Sequence, residues 1–516
     1  MISQKTHIIQ NVTFQVDFEK MEEGLGLQED LSLIFHQKIE PTLQKIFDSY
    51  STEEFTIKID KMVVDCGAVD DSDWEKMLLN RIGEQVEEML RSEKNIGKKQ
   101  VSKVKTANEV FFYFLQKGYF PWNSPFSDTD SLEKNVFITD SFIAEIAYLT
   151  LRSQKIVTRI SNSFSKEFFK KLLKEITKDS ERWVKDLTTG FLKQNDLNPD
   201  MQVEFLTIFL SKRKDKENSD SMNIWMELLK SKHLVNHTKF IKYLISKISE
   251  QNEMQASLLS AIKSRSFGTQ EKIKAKIILE KILHSKPDFE HVQWFRDCMA
   301  LVDDSDQFSD DFHERLSKKI KLILPKDSNH PENKSFEMKD QKNNKEEQFE
   351  DSIYIQNAGM VLLHPFLTAL FENLNLVKDK AFISINHRNQ AIGLLEFLVW
   401  GDNKHSENSF PLNKILCGIS PGDLWVGEFE MPQNLKNEGE ELLTEVIRHW
   451  EVLKNTGIDG LRETFLQRPG KLSHNQNGWK LIVEQKTVDI LIGSLPWGLG
   501  IIKMPWMAEM LFVEWN

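Results

Sequence analysis

Cys417, in Leu416-Cys417-Gly418, is the side chain of this sequence best suited to attack a substrate, with His364, His387, His405 and His449 as candidate bases in the same third of the chain. A thiol becomes a useful nucleophile when a base or a lowered pKa gives it thiolate character. The local sequence supplies no such activation, and a free Cys after Ile415-Leu416 fits a small core residue. His364, in Leu363-His364-Pro365-Phe366, is expected to cap a turn or satisfy a buried partner, because no second ligand stands at helical spacing for a metal. His449 precedes Trp450 on a helical pattern and is expected in the core. Gly498-Leu499-Gly500 lacks the strand, spacing and following helix of a phosphate cradle. No HExxH, Walker-type glycine loop or GxGxxG occurs, so no catalytic, cofactor-binding or metal residue is expected and the chain reads as a non-enzyme.

A second group points to contact rather than catalysis. Arg462, Glu463 and Arg468 surround Phe465-Leu466. Guanidinium and carboxylate groups so placed either bind an anion or dock a partner, or close an ion-pair network within the chain. Seven of the twelve Trp and fourteen of the twenty-two Gly fall in residues 351–516. That many Trp are hard to bury in one small core, and Trp is an anchor of protein interfaces. Arg462, Glu463, Phe465, Arg468, Trp497, Trp506 and Trp515 are therefore the candidate partner-docking residues.

The elements that position these residues follow from hydrophobic period. Val12, Phe14, Val16 and Phe18 alternate with polar residues, as do Phe55, Ile57 and Ile59, and a further strand is expected to end near Asp65-Cys66-Gly67. Between them Leu31 to Phe47 carries one apolar helical face, bent at Pro41, and Trp74 to Leu90 carries another. The order is β-α-β-β-α over residues 1–95. The basic run from Arg91 to Lys105 has no interleaved aromatic residues for base stacking and reads as a solvated linker. Ala107 to Leu324 is almost wholly helical in pattern, with Gly190 and Gly268 the only glycines after Trp122. Short helices such as Phe168 to Ile176, Val203 to Phe209 and Phe240 to Ile248 follow one another, without a sustained heptad or a repeat. Residues 325–350 are charged and poor in apolar side chains, the composition of a flexible linker.

In residues 351–516 three helices are expected, around Leu394 to Val399, Leu442 to Leu453 and Leu461 to Leu466. A hairpin is expected with Trp479 to Val483 and Val488 to Ile492 as its arms, turning at Gln485-Lys486, with Leu511 to Trp515 as a third strand. The fold class is mainly α with α+β ends: the N-terminal α+β domain, an irregular helical middle at 96–324, the linker, and a mixed α+β C-terminal module.

At 516 residues the chain has room for about three domains. Its apolar fraction of 40% and charged fraction of 28% fit a globular chain with real cores. The net charge of −11 opposes nucleic-acid or anionic-membrane binding. No stretch approaches the ~20 apolar residues of a membrane span, and no signal-peptide run opens the sequence. Three scattered Cys suit a reducing cytoplasm rather than a disulfide framework.

The assembled motifs resemble the tape measure proteins of extracellular contractile injection systems, phage-tail-like particles. The N-terminal unit resembles the family's opening region in Ile57-Lys58-Ile59-Asp60-Lys61-Met62-Val63-Val64-Asp65-Cys66-Gly67. Phe114-Leu115-Gln116-Lys117-Gly118-Tyr119-Phe120-Pro121-Trp122 resembles its FLxxGxxPW element. The C-terminal module is similar throughout: Ala358-Gly359-Met360-Val361-Leu362-Leu363-His364-Pro365-Phe366, Lys414 to Gly418, His449-Trp450 to Thr456, Leu461 to Arg468, and Leu495-Pro496-Trp497 to Pro505-Trp506-Met507. Together these cover roughly half of the chain.

The resemblance implies a structural role: starting the inner tube on its baseplate and setting the length at which tube and sheath stop growing. It implies no cofactor. Implied partners are inner tube, spike or baseplate subunits and the tube terminator or cap, with multiple copies in the tube lumen. The chain would be cytoplasmic during assembly and then inside the particle. The alternative is a soluble helical adaptor or assembly chaperone that is not retained in the finished structure. One ~200-residue helix at ~1.5 Å per residue would span about 300 Å, whereas the pattern shows separate short helices able to fold back.

Overall fold

The computed structural model describes residues 7, 9, 12–16, 31, 33–51, 55–59, 61–68, 74–91, 99–194, 197–212, 221–264, 268–285, 287–303, 352–402, 406–427 and 431–515. The chain divides into two compact units. One comprises Met1–Phe142, Asn162–Ser165 and Asp351–Asn516, and the other Ile143–Ser161 and Lys166–Glu350. The charged linker at 325–350, and the end of the helical pattern before it, lie outside the described residues.

In the N-terminal part of the first unit, the helix Glu40–Tyr50 is preceded by a π-turn at Phe35–Ile39. The widened turn stands immediately before Pro41. Proline has no N–H and its ring crowds the carbonyl four residues back, so the preceding turn widens and the Glu40 N–H donates to the Phe35 carbonyl. The helix Trp74–Arg91 lays Leu78, Ile82, Val86 and Leu90 against Ile34, Ile39, Leu43 and Ile46. Four-residue spacing keeps the first set on one face, and steps of five, four and three, the first across the π-turn, do so for the second.

Three expectations for this region are corrected. Residues 12–16 form no strand and their apolar side chains are exposed; Phe18 lies outside the described residues. Alternation alone makes no ladder without a partner edge. Residues 61–68 are irregular rather than a strand, with the Gly67 N–H donating to Asp65 Oδ1 at 2.9 Å. Instead β1 (Phe55–Lys58) pairs antiparallel with β2 (Lys99–Ser102), which arises from the basic stretch expected as a linker. The helix Lys103–Lys117 follows directly.

The second unit is a run of short helices, among them Lys166–Ile176, Pro199–Lys212 and Thr238–Glu250, as the periodicity predicts. Its core includes Trp183 stacked on Trp225 with centroids 5.5 Å apart. Glu204 binds the start of the helix His233–Asn236, accepting from Ser231 and from the N–H groups of Lys232, His233 and Leu234. These donors have no partner inside their own helix, so the carboxylate serves as a remote cap. The longest of its described helices, Thr269–Ser285, has 17 residues and spans only about 25 Å.

The C-terminal module of the first unit packs the helices Ile385–Trp400 and Gln433–His449 beside a five-stranded sheet. Its strands are β3 (Ile353–Ile355), β6 (Gly470–Asn475), β7 (Gly478–Val483), β8 (Ile501–Ile502) and β9 (Leu511–Glu514), in the order β3-β6-β7-β9-β8. A separate two-stranded ribbon joins β4 (Val377–Lys378) and β5 (Ala381–Phe382). The expected third strand is present, and it pairs parallel to β7.

The expected hairpin is corrected. The partner of β7 lies upstream, and the chain reverses between Asn475 and Gly478, where Asn and Gly suit a turn. Val488 to Ile492 belongs instead to a 3-10 segment, Thr487–Ser494.

Candidate functional site

The C-terminal motifs, far apart in sequence, converge on one another. The Ala358 N–H donates to the Arg468 carbonyl at 2.9 Å. Gly359 meets the backbone of Phe465 and Leu466 so closely that a Cβ there would overlap the Phe465 carbonyl. Only glycine permits that approach. Gly418 adopts φ +75°, and a Cβ on it would stand 2.5 Å from the Trp506 carbonyl. Trp506 in turn donates its indole N–H to the Leu416 carbonyl at 2.8 Å. Trp497 donates to the Leu362 carbonyl at 3.1 Å and packs edge-on against Phe366. Tyr119, from the FLxxGxxPW element, is buried in the same core, and the Asn408 amide reaches the Ser127 carbonyl at 3.2 Å. The first unit is thus built from both ends of the sequence.

Two buried polar clusters hold this core together. Lys414 and Glu407 pair at 2.7 Å, and the Lys414 ammonium also donates to the carbonyls of Pro421 and Asp423. Glu396 Oε2 accepts from Asn413 at 3.0 Å and from Asn357 at 3.1 Å. Burial raises the Glu396 pKa from 4.5 to about 7, against the pull of hydrogen bonds from Asn413, Asn357, Ser409 and Trp400. Neither cluster was anticipated. Glu407 to Trp425 gives no periodic signal, and an acid inside the apolar run from Ala391 to Trp400 is the one clue to a buried carboxylate.

The candidate docking residues separate by burial. Arg462, Phe465, Arg468 and Trp515 are buried, Trp497 and Trp506 are half-buried, and Glu463 is exposed. Arg462 donates to the carbonyls of Leu398 and Phe397 and to Asp459. Arg468 pairs with Asp489 and donates to the Thr464 carbonyl at 2.9 Å, with its guanidinium over the Trp515 ring. Asp489 Oδ2 accepts from the Trp515 indole at 3.0 Å and from the Lys486 N–H at 2.8 Å. The arginines therefore take part in hydrogen bonds and ion pairs within the chain.

Cys417 is fully buried, and burial pushes its thiol pKa up despite nearby Arg388, the opposite of what a nucleophile needs. His364 hydrogen-bonds the Val361 carbonyl at 2.9 Å, and burial lowers its pKa. His387 lies 2.7 Å from the Ser384 hydroxyl, and His405 is outside the described residues. His449 is corrected: it is exposed at the end of its helix, beside Phe366, because the buried face is spent on Val446 and Ile447 and the core position on Trp450. Among the described residues no group of three or more His, Cys, Asp or Glu is placed to hold a metal ion, and no helix is long and apolar enough to cross a membrane.

These features define a mainly helical protein whose distinctive motifs are spent on packing an α+β C-terminal module. The chain belongs to the contractile injection system tape measure protein family, whose family model matches residues 6–515. No curated protein and no solved structure matches it. Membership associates the chain with the injection particle and its tube.

Proposed function

We propose that this chain starts inner-tube assembly on the baseplate and determines the length at which tube and sheath stop growing. The family match over residues 6–515 carries the reading. The helical unit is the part that measures, and the C-terminal module is the anchor at the tube base. Inner tube, spike or baseplate subunits are its partners there, and a terminator or cap meets the chain at the other end. Of the seven candidate docking residues, Glu463, Trp497 and Trp506 reach the surface, while Arg462, Phe465, Arg468 and Trp515 are buried.

A helical unit whose described helices reach only about 25 Å does not measure a tube while folded this way. In the tube it opens into a longer thread, with neighbouring copies covering the apolar faces that opening exposes. The compact unit equally suits an adaptor or assembly chaperone that leaves before the particle is complete. Mass spectrometry of purified particles separates the two. A tape measure is retained at low, fixed copy number, and its absence from finished particles would leave the adaptor reading.

A further inference from the structure

Residues 487–501 run across the surface of the C-terminal module as an apolar ridge. No residue of Thr487–Ser494 is buried. Ile490 is 84% exposed and Ile501 61%, while Leu495, Trp497 and Leu499 are only partly covered. The ridge has a single ionisable side chain, Asp489, and it is consumed internally: Oδ1 by Arg468, Oδ2 by the Trp515 indole and the Lys486 N–H. The ridge is also held from below at two further points. Trp450 donates its indole N–H to Ser494 Oγ at 3.2 Å, and Trp497 donates to the Leu362 carbonyl. A surface held this way loses little freedom on binding.

Ile501 joins the ridge to the outer face of the sheet. Cross-strand register places Ile501, Phe512, Lys480 and Ser473 in one row, and Glu514, Ile482, Lys471 and Tyr354 in the next. The outer edge of β8 has no strand beside it among the described residues. Apolar surface continuous with an open edge marks a contact between proteins.

We propose that this ridge and the β8 edge are where two copies of the chain meet. Charge selects the occupant. The whole chain carries −11, so two copies carry a net mutual repulsion. Residues 470–516 instead hold four lysines and four acidic residues, a locally neutral region. Both signs are present on the sheet face beside the ridge, where Lys480 and Glu514 pair at 2.6 Å. A neutral apolar ridge beside charges of both signs is self-complementary, whereas a strongly acidic or basic partner meets no opposing field here. A two-fold axis at the β8 edge gives antiparallel strand addition with the same patch on both sides, the isologous contact of a closed dimer. The proposal does not depend on how tube length is set.

The test is light scattering of the purified full-length chain on a size-exclusion column, over a concentration series and at low and high salt. The expected mass is twice that of the chain and does not fall as salt rises, because the contact is apolar. Ile490→Lys combined with Ile501→Lys is expected to halve that mass with an unchanged circular-dichroism melt, since both side chains are exposed. If the double lysine variant melts early, Ile490→Gln replaces it and is expected to weaken dimerisation about tenfold. A wild-type chain that stays monomeric throughout overturns the proposal and assigns the ridge to another component of the particle. A dimer that survives in the folded ridge variants also overturns it.

Discussion

Lys414 and Glu407 face each other at 2.7 Å with side chains 0% and 1% exposed. Neither can be hydrated, so each depends on the other and on neighbouring carbonyls. Breaking a buried pair from one side leaves an uncompensated charge and costs about 3–5 kcal/mol. Lys414→Met is expected to lower stability by that amount in chemical denaturation. Lys414→Met with Glu407→Leu is expected to recover part of the loss, because no charge is left alone.

Glu396 gives the module a pH dependence of defined sign. Its folded-state pKa of about 7 lies above the ordinary value of 4.5, so the folded form holds the proton more tightly. The stability this contributes is complete below about pH 4.5 and is lost as pH rises through about 7. A shift of this size corresponds to about 3 kcal/mol. Glu396→Gln is expected to flatten the stability profile between pH 4.5 and 7 and to be the more stable protein at pH 8, read by denaturant midpoints across pH.

The Arg468, Asp489 and Trp515 cluster fixes the end of the chain beneath the 3-10 segment. Arg468→Ala removes the buried cation and leaves Asp489 and the Thr464 carbonyl short of a donor. A loss of about 3 kcal/mol or more is expected. Asp489→Asn is expected to cost about as much, since it leaves the buried Arg468 cation unpaired and turns an amide NH2 toward one of the donors that Oδ1 and Oδ2 now accept from. Hydrogen exchange of residues 487–515 should rise in both variants.

Gly359 is where two motif segments touch backbone to backbone. Gly359→Ala is expected to prevent native packing of the C-terminal module, because the obstacle is main chain rather than a flexible side chain. Loss of the near-ultraviolet dichroism of the module's tryptophans, with helical content largely kept, is the expected signature.

The sequence was most legible where period and burial agree. The helices around Leu442 and Phe168 carry clear apolar faces, the one around Leu394 is apolar and buried almost all round, and Leu511 to Trp515 reads as a strand. Legibility failed where a partner decides. Val12 to Val16 alternates but has no strand beside it among the described residues, while Lys99–Ser102, without an apolar pattern, pairs with β1. Val488 to Ile492 alternates like a strand, yet Asp489 is drawn to Arg468. At the candidate site, residue types singled out Arg462, Arg468 and Trp515, and the structure buries all three. Type alone could not tell a buried guanidinium with partners inside the chain from one offered to a partner, and Glu396 and Lys414 gain their meaning only from three-dimensional neighbours.

The most direct test of the tape-measure account is particle length by electron microscopy after deleting about 40 helical residues between Trp122 and Asp303. At the helical rise of about 1.5 Å per residue, particles should shorten by up to about 60 Å and remain uniform in length. Particles of unchanged, uniform length would contradict the account.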